Sequence, residues 1–325
     1  GFIAFYWFYL RHKLEAGDGS ATPVGGAEAK ALRKQVKAAD MSGLTAKLKG
    51  LREGAWDERD FWVDTVAPDA MEPVMDAWVA GGQELALAYL IRGRAHIAWA
   101  WAARGHGTSD TVSDEGARLF EEHLRKAQAD LLEAARQDPT DPTPFGHLLT
   151  VCRGLGLGLD QARDYFDQAV RRDPEHWTAH FQMLTLLTEK WGGSHDSMFA
   201  FADEVAGRVG EGSDLATLVI MAHIERWLYF SFDDDTAGEK QYLRNPLPQK
   251  ACKDAYQRSL GSPQLRVRRS TIHARNVAAF WFFLVRDKPA LRAEIGHIGN
   301  DYTKVPWGYW NDPEAAYSEA AQWAY

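Results

Sequence analysis

His176 and His180 are the residues of this 325-residue chain whose type and spacing first suggest chemistry. Four apart on a helix, their rings point the same way, and two imidazoles so placed can share a metal ion. Glu175 stands beside them. A zinc site needs three or four ligands and an outer shell, and no third ligand stands at a diagnostic spacing. The order is not H-E-x-x-H, so the general base of that metalloprotease motif is missing. The expectation is of surface or groove histidines, with a metal held near His176 and His180 as the alternative.

Other strings with chemical potential reduce to structure on the same grounds. "RGLGLGLD" (153–160) alternates three glycines but lacks the Lys-Ser/Thr of a phosphate loop and follows no strand. It reads as a turn between helices, with Asp160 as the next N-cap. "SFDDDTAGE" (231–239) packs three carboxylates without the alternate spacing and closing Glu of a calcium loop, and reads as a solvated turn. "VRRSTIHARN" (267–276) is basic, but it lacks the interleaved aromatics that stack on single-stranded bases. "EKWGGSHDS" (189–197) reads as a helix–helix corner, with Ser194 as a cap and Lys190, Trp191 and His195 as its functional candidates. Cys152 and Cys252 form no CxxC or Cys/His cluster, so neither a zinc knuckle nor a disulfide framework is implied. With no N-x-S/T sequon either, this fits a reducing compartment, and no Ser-His-Asp or Cys-His constellation emerges.

The elements that must position these residues are helical. Almost every segment follows the 3.6-residue period, and no alternating β-branched run is long enough for a sheet. Residues 83–104 form the longest apolar-rich helix, closed by Gly105, and Ser113 or Asp114 caps a helix from about 115 to 137. The aromatic share is 12% with 13 Trp, so large rings must fill a core or an interface. The net charge of −8 gives no electrostatic reason to expect nucleic acid.

One internal echo stands out. "KAQADLLEAARQDPTDPTPFGHLL" aligns without a gap to "QARDYFDQAVRRDPEHWTAHFQML". Ala127 falls on Ala162, Leu131 on Phe166, Ala134 on Ala169, and Asp138-Pro139 on Asp173-Pro174. Small residues let helices approach, the bulky residue fills the groove, and proline stops the helix. This pattern resembles the tetratricopeptide helix-turn-helix repeat. The family's Leu position falls on Leu149, its Ala positions on Ala162 and Ala169, its aromatic on Phe166 and its Pro on Pro174. The family's Trp, Gly and Tyr positions hold Gly146, Thr150 and Arg153 instead. The stretch from Arg171 to Ala202, with "VPWGY" further on, also resembles an uncharacterised bacterial family of tetratricopeptide-like domains, which carries no assigned activity.

The resemblance implies an all-α, right-handed solenoid of such repeats with degenerate terminal repeats, holding a partner on its concave helical face. In register, the groove positions are His147, Val151, Gln182 and Leu186, with Glu189, Lys190 and Trp191 one turn further. The family's Lys/Asn carboxylate clamp is absent there, so a helix or extended peptide is the expected ligand rather than a chaperone tail. The competing reading is a soluble enzyme or metal-binding protein with its site near His176 and His180.

Residues 1–16 stand apart as an aromatic segment, 17–26 ("GDGSATPVGG") as a flexible linker, and 27–325 as a single α-helical domain. Ten uncharged residues carry Phe2, Phe5, Tyr6, Trp7, Phe8 and Tyr9, followed by Arg11-His12-Lys13. A span needs about 20 residues, so this segment reads as the end of a membrane anchor, a packed helix or a docking segment. The anchor reading is preferred, and basic residues after a span favour the cytoplasmic side for the helical domain beyond them. The expected function is a non-catalytic scaffold, without cofactor, that engages a protein partner or a membrane protein complex.

Overall fold

The computed structural model describes residues 25–105, 112–232, 235–310 and 312–325. The aromatic segment 1–16, most of the linker and two of the three clustered aspartates therefore lie outside the described residues. Among those described, the fold is all-α, with no strand. No described helix is long and apolar enough to cross a membrane. The helices group into two compact units, residues 25–186 and 187–325, where the sequence pattern suggested one domain over 27–325.

The first unit contains α1 (Gly26–Lys37), α2 (Ser42–Lys49), α3 (Trp56–Val66), α4 (Glu72–Ala80), α5 (Leu85–Arg104), α6 (Asp114–Gln137), α7 (Thr143–Leu155), α8 (Leu159–Arg172) and α9 (Trp177–Leu186). Its spine is the α5–α6 pair. Gly93 sets their approach, since a Cβ there would stand 2.8 Å from Leu131 Cγ. Ser113 caps α6 by accepting the Gly116 N–H at 3.0 Å, as its position before a polar-apolar run suggests. Gly105 closes α5 at φ +72°, a conformation costly for any side chain.

The echoed segments fold alike. Ala127, Ala134, Ala162 and Ala169 are all buried, as are Leu131 and Phe166 between them. Both α6 and α8 end on an aspartate whose N–H bonds back four residues, Asp138 to Ala134 and Asp173 to Ala169. Each aspartate then turns the chain by accepting a backbone N–H two residues on, from Thr140 at 3.2 Å and from Glu175 at 3.1 Å. One expectation fails locally: α8 starts after Gly158 at φ +88°, and Asp160 lies inside its first turn rather than at the N-cap.

In the second unit, the 3-10 turn Glu189–Trp191 leads into α10 (His195–Arg208). Ser194 and Ser197 form a reciprocal capping box at its start. A Cβ at Gly193 would fall 2.1 Å from Leu187 O, so only glycine fits this corner. Then come α11 (Leu218–Phe232), α12 (Thr236–Arg244), α13 (Pro246–Arg258), α14 (Thr271–Leu284), α15 (Lys288–Ile298), α16 (Lys304–Trp307) and α17 (Pro313–Ala324). An aromatic cluster centres on α14: Phe280 is ringed by Trp310 at 4.6 Å, Trp307 at 5.2 Å and Trp227 at 5.9 Å. Asn276 is fully buried in this core with its amide satisfied. Its oxygen accepts from Trp307 Nε1 at 2.7 Å and Thr303 N at 3.2 Å, and its nitrogen donates to the carbonyls of Ile272 and Asp301.

Gly146 occupies the tetratricopeptide Trp position because the His176 ring fills that space. A Cβ at 146 would lie 2.9 Å from His176 Cε1. Gly146→Trp, which places the tetratricopeptide residue there, is therefore expected to destabilise the protein by at least about 1–3 kcal/mol through overpacking, read as a lowered denaturation midpoint.

Candidate functional site

The repeat histidines are buried, not displayed. His176 is 1% exposed and His180 0%. His176 Nδ1 accepts the Ala179 N–H at 3.3 Å, and His180 Nδ1 donates to the His176 carbonyl at 2.9 Å. His180 also packs edge-on against Phe166 at 5.0 Å. The expectation of surface or groove histidines is corrected on this point: turning inward, they become part of the helix packing.

The groove positions of the first unit are corrected with them. His147, Val151 and Leu186 are buried, and Gln182 is half-buried and accepts from Arg153 at 2.8 Å. The physical reason at His147 is α3, whose residues reach onto α7. Asp60 Oδ1 lies 3.0 Å from His147 Nε2, Thr178 donates to Asp60 Oδ2, and Arg59 pairs with the buried Asp141 at 3.0 Å. Burial alone raises the Asp60 carboxyl, but the charge and hydrogen bond of His147, then His176 and Thr178, outweigh it and hold it well below the usual carboxylate range. At His147, a helix of the protein itself thus occupies the place expected for a ligand.

The "EKWGGSHDS" corner gathers more than its sequence announces. Lys190 Nζ lies 2.9 and 2.7 Å from the two carboxylate oxygens of Glu225 on α11, and Tyr309 donates to the same carboxylate at 2.5 Å. The Lys190 and Glu225 side chains are only 14% and 6% exposed, so each charge needs the other. Beside them His195 Nε2 lies 3.0 Å from Glu189 Oε2 and 2.7 Å from an Arg226 nitrogen. Burial, then the Arg226 charge, lowers the His195 pKa against the pull of Glu189. Tyr229 closes the set, with its ring edge-on to His195 at 4.8 Å and its hydroxyl donating to Glu189 at 3.3 Å. Glu189 is exposed, and Trp191, His195, Arg226 and Tyr229 are half-buried. Glu225, Arg226 and Tyr229 carried no signal in the sequence, and Tyr309 was noted only as part of "VPWGY", because what they meet comes from distant parts of the chain.

A third constellation had no signal in the sequence at all. Glu72 on α4, His96 on α5 and His123 on α6 bring ligand atoms within 4.8 Å of one another. His96 and His123 face each other through Nδ1 atoms 3.0 Å apart, although 27 residues separate them. His96 is 2% exposed, and burial, followed by His123, pushes its pKa down to about 4, so the ring is neutral at pH 7. Among the described residues this is the group of three or more potential ligands that forms, and it does not include His176 or His180.

The remaining strings behave as structure. Gly156 and Gly158 take positive φ in the turn between α7 and α8. Cys152 is buried, and that burial pushes its thiol up to about 11, far from a nucleophile's range. From the basic stretch, Ser270 and Thr271 donate to the buried Asp214 at 2.8 and 3.0 Å, and Arg275 pairs with Glu294 at 2.9 Å. The membrane or partner anchor residues, Phe2 to Lys13, lie outside the described residues. No protein-family model, curated protein or solved structure gives a significant match to the chain.

Removing one partner of the Lys190–Glu225 pair strands a buried charge. Glu225→Leu is expected to cost about 3–5 kcal/mol, and the double change Lys190→Met with Glu225→Leu well under the sum of its two singles. Chemical denaturation of the four proteins measures this. A second outcome concerns His223 on α11, whose Nδ1 lies 2.6 Å from the Tyr242 hydroxyl and whose pKa burial lowers to about 4. Between pH ~6.5 and about 4 the unfolded chain takes up a proton that the folded one refuses, so the native state loses stability as pH falls across that window. The stability gap between wild type and His223→Gln should therefore shrink by about 3 kcal/mol from pH 7 to pH 4.

Proposed function

We propose that this chain is a non-catalytic helical-repeat scaffold, tetratricopeptide-like over 127–190, that holds a protein partner. The gapless 35-residue echo supports the repeat reading, since both copies bury the same small residues and close with the same aspartate turn. Both thiols are buried and pushed up by burial, which leaves them inert as nucleophiles.

The observation that carries the reading is the corner at Glu189–His195. Arg, Tyr and Trp supply most of the binding energy at protein interfaces. Here Arg226, Tyr229 and Trp191 stand at a half-exposed edge, with Arg226 and Tyr229 locked to His195 and Glu189. Side chains ordered before the partner arrives lose little entropy on binding. In this reading residues 1–13, with their aromatics and Arg11 and Lys13, tether the scaffold to a membrane from its cytoplasmic side.

A photo-crosslinking residue placed at Glu189, compared with one at the exposed Glu121 on α6, tests both parts in cells. A discrete crosslinked protein is expected at 189 and not at 121, and it should disappear when Arg226→Ala and Tyr229→Ala are added. Equal labelling at both positions would sink the scaffold reading. Removing residues 1–16 should shift the protein out of the membrane fraction, and an unchanged distribution would end the tether alone.

A further inference from the structure

We propose that Glu72, His96 and His123 bind one zinc-like divalent cation between α4, α5 and α6. The site is independent of the partner-binding reading and lies wholly within the first unit. Two nitrogens held about 2.0–2.1 Å from a tetrahedral zinc ion stand about 3.3 Å apart. The two Nδ1 atoms stand 3.0 Å apart, so a cation needs only a few tenths of an ångström of opening. A Glu72 carboxylate oxygen lies within 4.8 Å of a ring nitrogen of each histidine and supplies the third ligand.

A carboxylate for the outer shell stands close by. His96 Nε2 lies 3.9 Å from Asp130 Oδ2, on the far side of the ring from the site. Arg92 holds that carboxylate by two bonds, Nε at 2.8 Å and a terminal nitrogen at 2.7 Å. A carboxylate behind a ligating imidazole draws the proton to the outer nitrogen and leaves the inner lone pair for the metal. Trp99 walls the pair, edge-on to His96 at 4.9 Å and to His123 at 5.8 Å. Glu72 and His123 are half-buried, which leaves an entry side and an open fourth position for water. Two imidazoles and one carboxylate suit zinc and its borderline neighbours rather than calcium or magnesium.

Lys126 is the competitor. Its ammonium lies 3.1 Å from Glu72 and 3.1 Å from Glu122, so a cation that takes Glu72 leaves Lys126 its second partner. This gives the test a sign that misfolding does not imitate. The full chain is stripped with a chelator, dialysed against zinc and analysed for metal, and cobalt is substituted to read tetrahedral coordination by visible absorption. One equivalent of zinc per chain is expected. His123→Ala and Glu72→Gln should each weaken binding at least about tenfold with unchanged helix content, while Lys126→Gln should tighten it. His297→Ala, at an exposed residue of α15, should leave binding unchanged. No retained zinc, or zinc held equally by His123→Ala and Glu72→Gln, overturns the site.

Discussion

The closeness of α5 to α6 governs the first unit. At Gly93 the absence of a side chain lets Leu131 press against the helix backbone, and Ala127 and Ala134 continue the same seam. Helix axes that approach this closely bring even mid-length side chains into contact across the seam. His96, one turn beyond Gly93, consequently reaches His123, and Arg92 reaches Asp130. A bulkier residue at 93 would separate the helices and dissolve both pairings together. The packing of small residues and the convergence of ligating ones are one fact seen at two places.

Several buried polar groups in this protein are matched across helices. Asp60 meets His147 and Thr178, Lys190 meets Glu225 and Tyr309, and Asn276 satisfies both ends of its amide. Such pairs add little net stability, since desolvation consumes most of the attraction. Their effect is on arrangement: a slip of α3 along α7 by one turn would leave Asp60 and His147 without each other. The same logic separates the two histidine sets. Those of α9 bond to their own helix, whereas His96 and His123 turn their Nδ1 atoms toward each other from two different helices.

What was legible was local. Ser113 and Ser194 announce helix starts because a cap hydroxyl reaches only two or three residues ahead. Gly105 announces a helix end by its freedom at positive φ. The small–bulky–small spacing of Ala127, Leu131 and Ala134, repeated 35 residues later, announced paired helices because that spacing is itself the contact surface. The groove misled for a related reason. His147 and Val151 do lie on one helix face, but periodicity gives no account of what covers a face, and in this protein α3 reaches over it with Asp60 and Arg59.

By itself, then, the sequence determined that the chain is helical, where many of its helices begin and end, and which residues of the echo meet. Those properties depend on backbone preferences and side chains within about one turn of each other. Only the tertiary structure decided that Glu72, His96 and His123 converge, that Lys190 is neutralised by Glu225, and that His176 turns inward beside Gly146. Each of these joins helices distant in the chain. Their meeting depends on the separation and crossing of helix axes, quantities set by the whole packed core rather than by any short run of residues.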